Sequence, residues 1–381
     1  MTARIVIVAG ETSGDNLAAG LIRALRARRP DLSFEGVAGP AMQAEGCVAW
    51  APSEALAVMG LFEVLPHLAR MIRLRKDVVR RTVAADPLVF VGVDAPSFNL
   101  GLAALLHAEG IPTVQYVSPQ VWAWRQGRVK RMAKTLDLVL CLLPFEQPFY
   151  EGRGLAAEFV GHPLADRLPT VPDRLAARAA LGLPATGECV AILPGSRRGE
   201  VSRLAADFIG AARVLAARRP GIRFVAPMAN AAARRLFEEA LRAAGDLPIT
   251  VVDGQSAQAI TAADAVLVAS GTATLETMLC KRPMVVAYRL GRATAWIIRR
   301  LMRAQFFSQP NLLAGRAVVP ELFQDAVTPT GLADALERWL DDPAAMRETE
   351  ALFTTLHDTL RQGASERAAE AVLSLIDRKH R

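Results

Sequence analysis

Short, almost wholly apolar runs recur along this chain, each closed by a turn. Arg4–Val8, Leu88–Val93, Leu138–Leu142, Val190–Leu193, Ala265–Val268 and Met284–Ala287 are of this kind. A strand with no polar face must be covered on both sides, as in a parallel sheet packed between helices. Further strands are expected at Ser33–Val37, Thr113–Val117, Glu158–Val160, Arg223–Ala226 and Ile249–Val252. Amphipathic helices are expected over Asn16–Arg28, Phe98–Glu109 and Glu200–Ala217. That alternation is the α/β pattern. A polar stretch, Leu164–Thr186, holds Pro169, Pro172 and Pro184 and divides the rhythm in two. The fold class is therefore α/β, with two Rossmann-like doubly wound domains facing a cleft. Their expected extents are 1–165 and 175–350. C-terminal helices over 351–381 are expected to pack back across both, and the stretch Gly331–Arg378 reads as helical throughout.

Hydrophobic residues make up 52 % of the 381 and charged ones 22 %, enough to build sizeable cores. Formal net charge is 45 − 38 = +7, which favours anionic partners. Aromatics are only 6 % and no zinc-finger or RNP-like pattern occurs, so no nucleic acid partner is expected. Cys47, Cys141, Cys189 and Cys280 form no CxxC and read as buried, reduced thiols of a cytoplasmic protein. The five histidines make no ligand cluster, so no metal and no cofactor is expected. No apolar run reaches the roughly 18 residues of a membrane span. Met59–Arg81 does interleave Leu61, Phe62, Leu65, Leu68 and Ile72 with Arg70, Arg73, Lys76 and Arg80, and Trp296–Phe307 repeats the theme with Arg299, Arg300 and Arg303. A basic amphipathic helix either lies in an anionic bilayer interface or packs on a sheet with its basic face solvated. The periodicity is the same in both cases.

The turns carry the chemistry. After the Val190–Leu193 strand comes Pro194-Gly195-Ser196-Arg197 and then a helix. Gly195 admits a sharp turn, Ser196 offers a hydroxyl, Arg197 a planar fork of donors, and the helix start a set of unpaired N–H groups. Together they suit a diphosphate. The plain alternative is a strand-to-helix connection with solvated arginines. Ser270-Gly271-Thr272 repeats the arrangement after the Ala265 strand. Glu276, about one turn into that helix, is placed to accept from ribose hydroxyls, or else belongs to a capping box. Asn311 reads as a sugar or phosphate contact, or as a turn-stabilising residue.

In the first half, Gly10-Glu11-Thr12-Ser13-Gly14-Asp15 links the opening strand to its helix without GxGxxG spacing, so a dinucleotide fingerprint is not supported. Ser13 and Asp15 serve equally as helix caps. Asp94 stands at the carboxyl end of the Leu88 strand, where parallel sheets place ligands, and is a candidate general base or an N-cap. Ser118, Gln120, Trp122, Trp124 and Arg125 follow the Thr113 strand and read as a cleft wall or as core anchors.

In their common order these motifs closely resemble the lipid-A-disaccharide synthase family of Gram-negative bacteria, over essentially the whole length. The motifs are Gly10–Asp15, Gly92-Val93-Asp94-Ala95-Pro96, Tyr116–Trp124, Leu193–Arg197, Ala269–Ala273 and Pro310–Gly315. The resemblance implies an inverting, metal-independent glycosyltransferase of GT-B architecture. It implies transfer of 2,3-diacylglucosamine from UDP-2,3-diacylglucosamine to 2,3-diacylglucosamine 1-phosphate, giving a β-1,6 disaccharide phosphate and UDP. It implies a peripheral place on the cytoplasmic face of the inner membrane, and a homodimer through the C-terminal helices. Asp94 matches the base, Ser196 and Arg197 the diphosphate turn, and Glu276 and Asn311 donor-side positions. Gly195, Ser270, Gly271 and Thr272 complete the nucleotide-sugar set. Glu11, Ser13, Gly14, Ser118, Gln120 and Trp122 make up the acceptor and cleft set. The alternatives are another UDP-sugar enzyme of the same fold, such as an epimerase or a peptidoglycan glycosyltransferase, and a non-enzymatic nucleotide-binding regulator.

Overall fold

A computed structural model describes residues 3–56, 64–123, 126–291 and 305–380. The chain forms two compact units, Met1–Asp166 with Leu360–Arg381, and Arg167–Thr359. The first holds a seven-stranded sheet of β1 (Ala3–Ala9), β2 (Leu32–Ala38), β3 (Val48–Pro52), β4 (Val89–Val93), β5 (Thr113–Tyr116), β6 (Leu138–Cys141) and β7 (Ala157–Phe159). Their order is β3-β2-β1-β4-β5-β6-β7 and every neighbouring pair is parallel. The second holds β8 (Cys189–Leu193), β9 (Arg223–Met228), β10 (Ile249–Asp253), β11 (Ala265–Ala269), β12 (Met284–Tyr288) and β13 (Glu321–Phe323). Their order is β10-β9-β8-β11-β12-β13, again all parallel.

The apolar runs have the cause expected of them. In β1, Ile5, Ile7 and Ala9 pack with Leu21, Ile22 and Leu25 of the helix Glu11–Arg28 and with Val372 and Ile376 of the helix Ala364–Lys379. Val6 and Val8 belong to the opposite face, with Val78 of the helix Val64–Ala85 and Phe98, Leu102 and Leu106 of the helix Pro96–Ala108. Each residue of such a strand contributes to one core or the other. In the second unit Val190 and Ile192 pack with Leu204, Phe208 and Leu215 of the helix Arg198–Arg218 and with Leu332 and Leu336.

Several expectations are corrected. β3 and β13 are strands the sequence reading did not include. Both lie at sheet edges, β13 has three residues, and β3 ends in a proline, which edges tolerate. The first helix begins at Glu11, not Asn16, and its N-cap is Gly10, which has no side chain to cap it. Asp15 therefore caps a different helix. Its buried carboxylate accepts from the N–H groups of Gly39 (3.0 Å), Ala41 (2.8 Å) and Met42 (3.1 Å) at the start of Pro40–Ala44. The C-terminal stretch is three helices, Pro329–Asp341, Pro343–Leu360 and Ala364–Lys379. Asp342 caps the second through Ala344 and Ala345, and Asp166 accepts from Gly363 and Ala364 at the third.

Candidate functional site

Each sheet reverses its strand order once near its middle, between β1 and β4 in the first unit and between β8 and β11 in the second. Loops leaving the carboxyl ends of such neighbouring strands diverge and open a crevice, where ligands of open α/β sheets bind. Four groups of candidate residues fall on these loops. Glu11 follows β1 and Asp94 follows β4, while Gly195–Arg197 follow β8 and Ser270–Thr272 follow β11.

In the first unit the two loops touch. A Cβ on Gly10 would lie 2.8 Å from that of Ala95, and Gly14 is seated against Val93 and Asp94. Glu11, Gly14 and Asp94 are thus brought together. The backbone here is strained, with Glu11 (φ 58°), Asp94 (φ 51°), Ala95 (φ 42°) and Val117 (φ 78°) all in the left-handed region. Non-glycine residues in that region cost about 1–3 kcal/mol each and persist where their surroundings over-determine them. Asp94 immediately precedes Ala95, the N-cap of the following helix. Ser13 is exposed on the first turn of its helix.

The wall after β5 differs from the expectation. Ser118 is buried, its Oγ 2.9 Å from the Tyr150 hydroxyl, so it braces the wall from behind and presents no donor to a ligand. Trp122 stands edge-on to Phe145 and donates its indole N–H to Glu146 Oε1 at 3.3 Å. Gln120 is exposed. Trp124 and Arg125 lie outside the described residues. The sequence reading missed Glu146, a carboxyl only 4 % exposed that also accepts from the Leu143 N–H. Burial pushes its pKa up to about 7 against the pull of those donors. Its signal was a lone acid in the apolar stretch between β6 and Tyr150.

In the second unit Gly195 has φ 116°, where a side chain is strained, and a Cβ there would meet Glu200 at 2.7 Å. Ser196 and Arg197 are exposed, and Arg197 is the N-cap of Arg198–Arg218. Glu200 was also missed. Its Oε2 accepts from the N–H groups of Ser196 (3.2 Å) and Arg197 (3.3 Å), so an internal carboxylate already sits on two amides of the anion turn. Asn230 braces the turn by donating to the Ser196 carbonyl at 3.0 Å while capping its own helix through Ala233.

Ser270 donates to the Phe307 carbonyl at 3.1 Å, Gly271 adopts φ 144° with open space where a side chain would be, and Thr272 is exposed. Glu276 is not part of a capping box, since the N-cap is Gly271, which has no side chain, and the third helical residue is Thr274. Its Oε2 instead accepts from Ser256 Oγ at 2.8 Å, and burial raises its pKa. Asn311 is held by bonds within the fold. Its Nδ2 donates to the Val319 carbonyl and Glu321 Oε1, and its Oδ1 accepts from the N–H groups of Val318 and Val319. Both amide hydrogens and both oxygen lone pairs are thus engaged, tying the helix Gln309–Ala314 to the segment that enters β13.

The helix Val64–Ala85 turns Val78 into the core while Arg70, Arg73, Lys76, Arg80 and Arg81 are exposed. Residues 57–63, including Leu61 and Phe62, and residues 292–304, including Trp296, Arg299, Arg300 and Arg303, lie outside the described residues. Among the described residues no helix is long and apolar enough to cross a membrane.

Solved structures of low sequence identity share this fold. A calicheamicin glycosyltransferase superposes with a TM-score of 0.63 at 17 % identity, covering 99 % of both chains. A UDP-GlcNAc 2-epimerase from Neisseria meningitidis, bound to UDP-GlcNAc, gives 0.66 at 11 % identity over 97 % of this chain and 100 % of its own. The architecture is thus that of GT-B glycosyltransferases and these epimerases. Among curated proteins, lipid-A-disaccharide synthases are much nearer in sequence. That of Pseudomonas aeruginosa (strain UCBPP-PA14) is 53 % identical over 376 residues, 99 % of each chain. That of Alkalilimnicola ehrlichii is 54 % identical over 374 residues, 97 % of this chain and 98 % of its own. The lipid-A-disaccharide synthetase family model matches residues 5–375. This chain belongs to the lipid-A-disaccharide synthase family of glycosyltransferases.

Proposed function

We propose that the protein transfers 2,3-diacylglucosamine from UDP-2,3-diacylglucosamine to the 6-hydroxyl of 2,3-diacylglucosamine 1-phosphate, with inversion, releasing UDP. The observation that carries this reading is the placement of both motif sets at strand-order reversals, a carboxylate in one unit and glycine-rich anion turns in the other. Asp94 is the general base. A sugar hydroxyl is a poor nucleophile at neutral pH, and a carboxylate that takes its proton during attack contributes about 10²–10⁴-fold. Single displacement at the anomeric carbon then forms the β-1,6 bond as the bond to the diphosphate oxygen breaks.

Negative charge develops on the leaving diphosphate. The Arg197 guanidinium, the Ser196 hydroxyl and the N-terminus of Arg198–Arg218 are placed to stabilise it. A phosphate that takes the Ser196 and Arg197 amides displaces the Glu200 carboxylate from them. Glu276 and Ser256 form a polar pair suited to the ribose hydroxyls, and the Ser270–Thr272 turn supplies further donors. Glu11, Ser13, Gly14, Gln120 and Trp122 line the acceptor side. The exposed arginines and lysine of Val64–Ala85 are proposed to rest on the anionic cytoplasmic face of the inner membrane, which supplies the acylated substrates.

A turnover assay with both substrates tests the reading on wild type, Asp94→Ala and Arg197→Ala. Disaccharide from wild type is expected. Asp94→Ala should lose product while binding UDP normally, and Arg197→Ala should bind UDP more weakly. UDP binding by wild type without disaccharide would overturn the proposal in favour of an epimerase of the same fold. Loss of vesicle binding on charge reversal at Arg73, Lys76 and Arg80 tests the membrane face.

A further inference from the structure

Two buried side-chain amides converge on the main-chain carbonyl of Asp94. Asn99 donates to it from Nδ2 at 2.9 Å, and Gln115 from Nε2 at 3.1 Å. Asn99 Nδ2 also lies 3.3 Å from the Val93 carbonyl and 3.2 Å from that of Val8. Gln115 Nε2 lies 3.3 Å from the Tyr116 carbonyl and 3.4 Å from that of Val117. The ends of β1, β4 and β5 are thereby gathered around one residue. Three carbonyls around each nitrogen fix the amide orientation, since the reverse would set oxygen against oxygen.

The arrangement is costly in polar terms. Asn99 and Gln115 are 0 % and 1 % exposed, and Asn99 Oδ1 and Gln115 Oε1 have no hydrogen-bond partner among the described residues. Buried polar atoms are nearly always paired, so two unpaired acceptors on the amides that share one carbonyl call for an explanation. Gly92 is shaped to the same end, because a Cβ there would lie 2.8 Å from Asn99 Cβ. What these groups hold is the left-handed turn of Asp94 and Ala95, with φ of 51° and 42°.

We propose that Asn99 and Gln115 are positioning residues for Asp94. They clamp its carbonyl so that the strained backbone is the single state and the carboxylate is held at a fixed place and aspect. This rests on the reading of Asp94 as the base. Neither amide touches substrate, so the donor side is untouched by their loss.

The test compares Gln115→Met and Asn99→Leu, which keep approximate shape and remove the donors, with Asp94→Asn. Full-length protein is assayed with the substrates named above, and UDP binding is measured by calorimetry. Each clamp variant is expected to lose 10- to 100-fold in kcat, with KM for the donor and the Kd of UDP within about twofold of wild type. The acidic limb of its kcat–pH profile should move, because the carboxylate is no longer held in one setting. A folded clamp variant with wild-type kcat and an unmoved acidic limb overturns the clamp while leaving the base reading intact. Full activity in Asp94→Asn overturns the base reading, and the clamp with it. If Asn99→Leu does not fold, Gln115→Met decides alone. If neither folds, the amides belong to the fold itself and the proposal is overturned.

Discussion

Glu146 gives the protein a stability that depends on pH in a calculable way. The perturbation is Glu146→Gln, which removes the ionisable proton and keeps the shape. In the folded protein the carboxyl titrates at about 7 because burial disfavours its charge, while the unfolded chain titrates at 4.5. Between those values the native state holds a proton that the unfolded state has lost, so stability falls as pH rises through this window and levels off above 7. The loss is 7 − 4.5 in pKa at about 1.4 kcal/mol for each unit, or about 3–4 kcal/mol, most of it between pH 5 and pH 8. Glutamine carries no such dependence. It also replaces one oxygen that accepts from Trp122 or Leu143 by a donor, which adds a constant offset. The decisive quantity is therefore how the stability difference between the two proteins changes with pH. Urea unfolding at pH 5, 6, 7 and 8 should show Glu146→Gln gaining about 2–3 kcal/mol on wild type across the series. Wild-type Trp122 emission should titrate near pH 7 and cease to do so in the variant. Parallel stability curves would overturn this, since they would mean that Glu146 is ionised in the folded state throughout.

Other consequences can be checked more briefly. Asp15→Ala strips the acceptor from three N–H groups at Gly39, Ala41 and Met42, and should cost about 2–4 kcal/mol in denaturant unfolding. Gly36→Ala should yield little soluble protein, because its Cβ would lie 1.9 Å from the Ile7 carbonyl oxygen at φ 148°, between β1 and β2. The four cysteines are buried and unbridged, with Cys47 pushed up to about 12 and Cys189 and Cys280 to about 11 by burial. A thiol reagent at pH 8 should therefore label native protein hardly at all and all four sites in urea, and rapid native labelling would contradict their depth.

The central strands were legible because burial on two faces leaves no polar position. β1, β4, β8 and β11 read directly as apolar runs. Edge strands carry no such constraint: of the four, β7 and β10 were legible while β3 and β13 were not. At the candidate site, position along the strand was legible and hydrogen-bond saturation was not. Asp94 and Gly195–Arg197 could be placed at strand ends from order alone. Whether Asn311 or Ser118 had donors left to offer depended on Val318, Val319, Glu321 and Tyr150, which are distant or unmarked in sequence. Glu200 and Asp15 show the same limit, since both read as generic helix-start acids until their N–H partners are known.

The chain leaves the first unit at Asp166 and re-enters it at Leu360. Ala368, Ala369, Val372, Leu375 and Ile376 of the last helix are integral to the core around Ile5 and Ile7. During synthesis the first unit thus waits, one wall open, until the helix Ala364–Lys379 clears the ribosome. The second unit, contiguous from Arg167 to Thr359, has its whole sequence available earlier. The usual vectorial order is inverted: the half that is translated first is the half that is completed last. A chain cut off before Leu360 would keep the whole second unit and expose the apolar interior of the unit that holds Asp94.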